Sequence, residues 1–205
     1  MDPSVSSASN FKTSQLQGVI DENLSNGIFV PFVFITESWL KPFITKKQVQ
    51  LQNYICHRSD RIKRGRGGAV LYVHSSFPVI NVKSYDDDIN EVVICTLPTD
   101  KIVLACLYRP PDSTINSFKD SISFISDYLN SLDDCFKYKV FLLGDFNFPE
   151  INWADNKHSN LSESSKSLLN FMGEFLLSQE VCIPTRIDNT LDLVITNTSY
   201  MVAHG

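Results

Sequence analysis

Asp145 and Asn147 stand two residues apart at the end of an apolar run, Val140-Phe141-Leu142-Leu143-Gly144. A short apolar run closed by turn residues reads as a buried strand that delivers its last residues to a rim. In extended chain, positions i and i+2 point the same way. Asp145 and Asn147 are therefore expected to face one spot, with Phe146 and Phe148 anchored on the other side. A carboxylate beside a carboxamide can hold or take a proton of a water while the amide orients that water or a phosphate oxygen. Gly-Asp and Asn-x-Pro are also ordinary turn formers, so the pair alone decides nothing.

Three further segments bring chemistry to strand ends. Phe32-Val33-Phe34-Ile35 reads as a buried strand ending in Thr36-Glu37-Ser38-Trp39-Leu40, so Glu37 sits just past a strand, as Asp145 does. Two acids at two strand ends can build an oxygen-ligand metal site. Tyr108 and Arg109 close another apolar run before Pro110-Pro111, where proline stops the ladder and sets the exit direction. They are expected at the same rim. Asp192 lies in Leu191-Asp192-Leu193-Val194-Ile195, a last strand, where a buried acid needs partners. It is read as salt-bridged or as catalytic support.

One basic cluster stands out in an acidic chain. Residues 58–68 hold Arg58, Arg61, Lys63, Arg64 and Arg66, then Gly67-Gly68. The functional reading is a loop over phosphates, with glycines permitting close backbone approach. The ordinary reading is a solvated hairpin loop.

The elements that must position these residues follow from periodicity. Residues 13–24 carry Leu16, Val19, Ile20 and Leu24 at helical spacing. Residues 53–108 read as strands 54–56, 69–74, 79–82, 91–97 and 102–108 separated by turns. In residues 69–74 both alternating sets are apolar, which implies cover on both faces. Residues 113–133 repeat Ile115, Phe118, Ile122, Ile125, Leu129 and Leu132 at intervals of three and four, the clearest helix. Residues 162–179 read as a second one, with Leu168, Leu169, Met172, Phe175 and Leu176 inward. Strands mixed with peripheral helices make an α/β layered domain.

Composition bounds the rest. At 205 residues, with 43% hydrophobic residues, the chain suits one compact domain. Residues 1–9 read as a mobile arm and 10–205 as the domain. The formal net charge of -5 excludes a strongly basic coat, so any nucleic-acid contact must be local. Five cysteines without C-x-x-C spacing argue for a reducing compartment and against a zinc site. No apolar run approaches a membrane span.

In order and context, Thr36-Glu37-Ser38-Trp39-Leu40, residues 64–68 before a strand, Tyr108-Arg109-Pro110-Pro111, Gly144-Asp145-Phe146-Asn147 and Leu191-Asp192-Leu193 resemble the endonuclease domain of non-LTR retrotransposons. That domain belongs to the exonuclease–endonuclease–phosphatase superfamily, with apurinic/apyrimidinic endonucleases and DNase I. The resemblance implies a four-layer α/β/β/α sandwich with its site at one rim. It implies Mg²⁺-dependent nicking of DNA, with Mn²⁺ an alternative ion, leaving a 3′ hydroxyl that primes a reverse transcriptase domain of the parent protein. Nuclear action follows from that substrate.

The resemblance also assigns roles. Glu37 matches the metal-binding glutamate and Asn10 the N-terminal site asparagine. Asp145 matches the residue that orients and deprotonates water, with Asn147 its companion. Tyr108 matches the tyrosine that bonds the scissile phosphate, and Asp192 the aspartate that supports a catalytic histidine. Thr185 falls where a hydroxyl lies near DNA. Arg109, Arg64 and Arg66 are the cations read as facing nucleic acid. The family closes its site with Ser-Asp-His on a final strand, which this chain does not contain. His204 lacks the preceding Ser-Asp. The chain is therefore expected to be a C-terminally truncated domain with feeble nicking. A non-catalytic relic that binds nucleic acid and a phosphatase of the same superfamily remain the competing readings.

Overall fold

The computed structural model describes residues 13–63, 65–153 and 160–198. Its elements are, in order, α1 (Thr13–Ser25), β1 (Phe32–Thr36), β2 (Tyr54–Ser59), β3 (Ala69–His74), β4 (Ile80–Asp86), β5 (Glu91–Leu97), β6 (Ile102–Tyr108), α2 (Ile115–Asn130), β7 (Lys139–Asp145), α3 (Glu163–Glu174), β8 (Ser178–Gln179) and β9 (Asp192–Thr196). A three-stranded sheet has the order β1-β3-β2 and a six-stranded sheet the order β4-β5-β6-β7-β9-β8. The β6–β7 pair is parallel, and α2 makes the crossover that a parallel pair requires.

Strand alternation sorts the apolar side chains into three layers. One face of the six-stranded sheet, with Val92, Val103, Leu107, Leu142 and Ile195, packs on Phe118, Ile122, Leu168 and Phe171 of α2 and α3. Its other face, with Val93, Cys95, Leu104 and Cys106, meets Ala69, Leu71 and Val73 of β3. The far face of the three-stranded sheet, with Val70 and Tyr72, is covered by Ile20 of α1 and by Leu40, Val49 and Leu51. The result is the four-layer α/β/β/α sandwich, and β3 is indeed buried on both faces.

Several sequence expectations need correcting. In α1, Val19 and Leu24 are exposed, because Ile20 is the residue that reaches the core. The second long helix stops at Glu174 and not at 179. Leu176 turns left-handed (φ 53) and is 73% exposed, so Leu177 can turn inward and Ser178–Gln179 can pair with β9. Sheet pairing outcompetes the last turn of that helix. β2 and β4 extend to Ser59 and Asp86, past their apolar cores, because ladder bonds continue where the hydrophobic pattern has ended.

Candidate active site

Sheet register assembles the site. Glu91 of β5 pairs with Tyr108 of β6, Tyr108 with Asp145 of β7, and Asp145 with Asp192 of β9. Directly paired residues share a face, so four polar side chains line one rim of the six-stranded sheet. Gly144 lets β7 close up on β6: a Cβ there would lie 1.8 Å from the Leu107 carbonyl oxygen.

Glu37 arrives from the other sheet. β1 packs against β6 and β7 and ends at the same rim. The Tyr108 hydroxyl donates to Glu37 Oε1 at 2.6 Å, joining the two sheets. Burial, then the Glu37 carboxylate, raises the pKa of the Tyr108 phenol well above its usual range, so it remains a hydrogen-bond donor.

Past Asp145 the chain does not stay extended. Asn147 takes φ 50, and its N–H donates to Asp145 Oδ1 at 3.1 Å, an Asx turn. The expected partnership therefore holds through a turn and not through strand alternation. Phe146 and Phe148 are buried beneath it, as expected. Burial, then Asp192 and also Glu37, pushes the Asp145 carboxyl up to about 6, although hydrogen bonds from the Asn147 backbone and side chain oppose the shift. Asp145 is thus mostly ionised at neutral pH yet a stronger proton acceptor than an ordinary carboxylate, as a general base working near neutrality requires.

Other site residues turn out differently from their reading. Asp192 is exposed, not buried, and adds its charge to the rim. Thr185 Oγ1 accepts from the N–H groups of Leu191 and Asp192, both at 3.0 Å, so it sets the start of β9. Arg109 is only 7% exposed. Its Nη1 donates to the carbonyls of Phe146 and Asn147 at 3.1 and 2.8 Å, and its guanidinium lies 4.1 Å from the Phe148 ring centroid. Asn147 Nδ2 returns a bond to the Arg109 carbonyl at 2.8 Å. Arg109 therefore braces the Asp145 turn from below and does not face nucleic acid.

The basic segment is mostly spent on the protein itself. Arg61 is buried and ion-paired with the fully buried Glu91, which also accepts from the Gly68 N–H at 3.0 Å. Arg58 pairs with Asp60 at 3.2 Å and Lys63 with Asp88 at 2.8 Å. The phosphate-loop reading fails for Arg58 and Arg61, whose side chains are largely buried in their pairs, whereas Lys63 stays at the surface. Arg66 is exposed, with its guanidinium carbon 5.3 Å from the Trp39 ring centroid. Trp39 itself was missed, although its place two residues after Glu37 was the available signal. The role of Glu91 was also missed; an acid opening an otherwise apolar strand could have marked it.

Asn10, Arg64 and His204 lie outside the described residues. His57 and His74 do not belong to the rim. His57 is in the middle of β2, where burial and Lys46 lower its pKa. His74 bonds Ser76 and packs on Phe29 and Tyr54. Among the described residues no group of three or more His, Cys, Asp or Glu converges as a metal cage. The rim offers hard oxygen donors in mutual repulsion, which fits Mg²⁺ held by one or two carboxylates plus waters and substrate oxygens. A cleft of about 220 Å³ opens beside it, lined by Phe34, Thr36, Leu143, Thr185 and Asp192 among others.

A protein-family profile described as "Endonuclease-reverse transcriptase" matches residues 102–204, half of the chain. This chain belongs to the endonuclease-reverse transcriptase family. Solved structures share the fold of this family member. The endonuclease domain of TRAS1, a telomere-specific non-LTR retrotransposon, superposes with a TM-score of 0.58 at 18% identity, covering 88% of this chain and 77% of that one. The AP endonuclease LMAP from Leishmania major gives a TM-score of 0.58 at 11% identity, with 94% and 76% covered. The human Nocturnin catalytic domain gives 0.56 at 11% identity, with 90% and 74% covered. No curated protein matches the chain. No helix among the described residues is long and apolar enough to cross a membrane.

Proposed function

We propose that this endonuclease-reverse transcriptase family member is a Mg²⁺-dependent DNA endonuclease domain. It nicks target DNA in the nucleus and leaves a 3′ hydroxyl from which an associated reverse transcriptase primes. The observation that carries the reading is the junction of Glu37 and Tyr108 across the two sheets, at the rim where the Asp145 carboxyl is pushed up to about 6.

Each side chain has a task in phosphodiester hydrolysis. Asp145 accepts the proton of the attacking water, and Asn147 keeps that carboxylate in place through the Asx turn. Tyr108 offers a hydroxyl to a phosphate oxygen, exchanging its bond to Glu37 for one to the substrate. Glu37, with Mn²⁺ an alternative to Mg²⁺, is the ligand carboxylate, and Asn10 is the second candidate ligand. The chemistry a divalent cation supplies there is charge relief on the phosphate and help for the leaving oxygen. Asp192 adds negative charge that keeps the Asp145 carboxyl a base near neutral pH. Neither described histidine reaches the rim, so the leaving alkoxide has no imidazole donor from them, and nicking by residues 1–205 is expected to be slow.

A supercoiled-plasmid assay with the 205-residue chain tests this. Relaxed circles should accumulate with Mg²⁺, stop with chelator, and fall about 10²–10³-fold in Asp145→Ala. Cutting that survives Asp145→Ala undiminished sinks the assignment. DNA binding that falls steeply with salt, without any Mg²⁺-dependent cutting, replaces it with the relic reading.

A further inference from the structure

The Glu37 loop carries more than its carboxylate. Trp39 adopts φ 56, an outlying conformation for a bulky side chain. Ser38 and Leu40 on either side of it are buried, and the Trp39 N–H donates to the Gly67 carbonyl at 2.8 Å. Gly68 is required beneath: a Cβ there would lie 2.5 Å from Ser38 Oγ and its φ is +98. These contacts hold the loop in its strained shape, and they leave the indole 39% exposed two residues from Glu37. A burial-driven fold would turn such a ring inward, as it does Phe146 and Phe148 at the neighbouring turn.

Arg66 completes the arrangement. Arg58 and Arg61 are largely buried in pairs with Asp60 and Glu91 and Lys63 holds a surface pair with Asp88, whereas Arg66 projects from the surface over the Trp39 ring. An exposed indole with a guanidinium over it, at an acidic rim, matches a base and its adjoining phosphate once the guanidinium swings from the ring to the phosphate. Aromatic faces hold unstacked bases in nucleic-acid-binding proteins, and arginine takes phosphate oxygens.

We infer that Trp39 and Arg66 form a nucleotide subsite, in which an unpaired base beside the scissile phosphate stacks on the indole and its phosphate meets Arg66. The subsite rests on the nuclease reading and adds to it a substrate class: DNA locally opened at the nick. A fully paired duplex presents no base face to a side chain outside the helix, so the subsite favours distorted or unpaired positions.

The chain contains two tryptophans, Trp39 and Trp153. Trp153→Phe therefore leaves Trp39 as the sole indole reporter. This protein is titrated, in chelator, with three duplexes of one sequence: fully paired, with a single bulged base, and with a tetrahydrofuran spacer in place of that base. The bulged duplex is expected to quench the emission and to bind about tenfold tighter than the other two. By anisotropy of labelled DNA, Trp39→Ala should bind all three alike, while Trp39→Phe keeps most of the preference. Arg66→Gln should weaken all three similarly and reduce the salt dependence by about one ion. Equal quenching and affinity across the three duplexes overturns the inference, as does a bulge preference that survives Trp39→Ala. Because no cutting is measured, that failure is separate from failure of the plasmid assay: a chain that nicks yet ignores the bulged base loses only the subsite.

Discussion

Two loops meet at the rim, and they are held in opposite ways. Each follows a strand, and each enters left-handed backbone, with φ 50 at Asn147 and φ 50 at Glu37. The Asp145 turn is braced largely by its own neighbourhood. Phe146 and Phe148 are buried below it, and Arg109, joined by the adjacent strand, fills its carbonyls. The Glu37 loop is braced from afar, by Gly67 and Gly68 in backbone contact and by one phenolic hydroxyl from the opposite sheet. One loop is anchored by buried rings and a buried guanidinium close by, and the other by hydrogen bonds from distant segments. The proposed base Asp145 should therefore be robust and the proposed ligand Glu37 adjustable.

The largest effect expected on this contrast comes from Arg109→Ala. It removes the donors of two buried carbonyls and the cation over Phe148, and it should cost about 3 kcal/mol. In a chain of this size that lowers the melting midpoint by about 10 °C. A midpoint that stays within about 2 °C of the parent would show that the turn needs no brace, and the contrast between the loops would break.

Tyr108→Phe sharpens the contrast from the other side. It leaves the ring packed and removes only the bond to Glu37, so thermal melting should shift by about 1 kcal/mol or less. Nicking should slow about tenfold, and the Mg²⁺ concentration for half-maximal rate should rise as Glu37 loses its tether. A Mg²⁺ titration of plasmid nicking reads this directly. A large fall in melting point with unchanged Mg²⁺ dependence would make the bond a structural brace only.

Asp145→Asn gives a comparably small effect on stability, and it has a sign. The native carboxyl is raised by burial to about 6, so it holds its proton more tightly than in the unfolded chain. Its contribution to stability is present at low pH and lost as pH rises from about 4 through 6. The asparagine escapes that loss. At pH 7 the variant should be more stable by about 1 kcal/mol, after allowance for solvent screening, and the gain should vanish below about pH 4. Paired thermal melts at the two pH values check it; an equal difference at both would remove the charge strain from the account. On the proposed mechanism the same carboxyl should make nicking rise with pH through about 6 in the parent chain.

Much of this was legible before any coordinates. The apolar run before Asp145, the one before Glu37 and the helix around Phe118 and Ile122 are local patterns, and local patterns report strand ends and helix faces. What misled was charge. Arg61 and Lys63 looked like a phosphate loop because their partners are not visible beside them, whereas Arg58 had its partner Asp60 two residues on. Glu91 lies 30 residues from Arg61 and Asp88 lies 25 from Lys63. Arg109 looked like a surface cation because nothing in Tyr-Arg-Pro-Pro says that two later carbonyls will close over it.

The amino-acid order by itself determined the layers, the strand ends and the acids they carry, because burial follows side-chain periodicity residue by residue. Only the tertiary structure decided which charges remain available to a substrate. Register brought Tyr108, Asp145 and Asp192 into one row. Sheet stacking set Glu37 against Tyr108, and the pairing of Arg61 with Glu91 withdrew one cation while Arg66 stayed outside. An ion's role depends on what lies within a few ångströms of it in space, and chain separation carries no record of that distance.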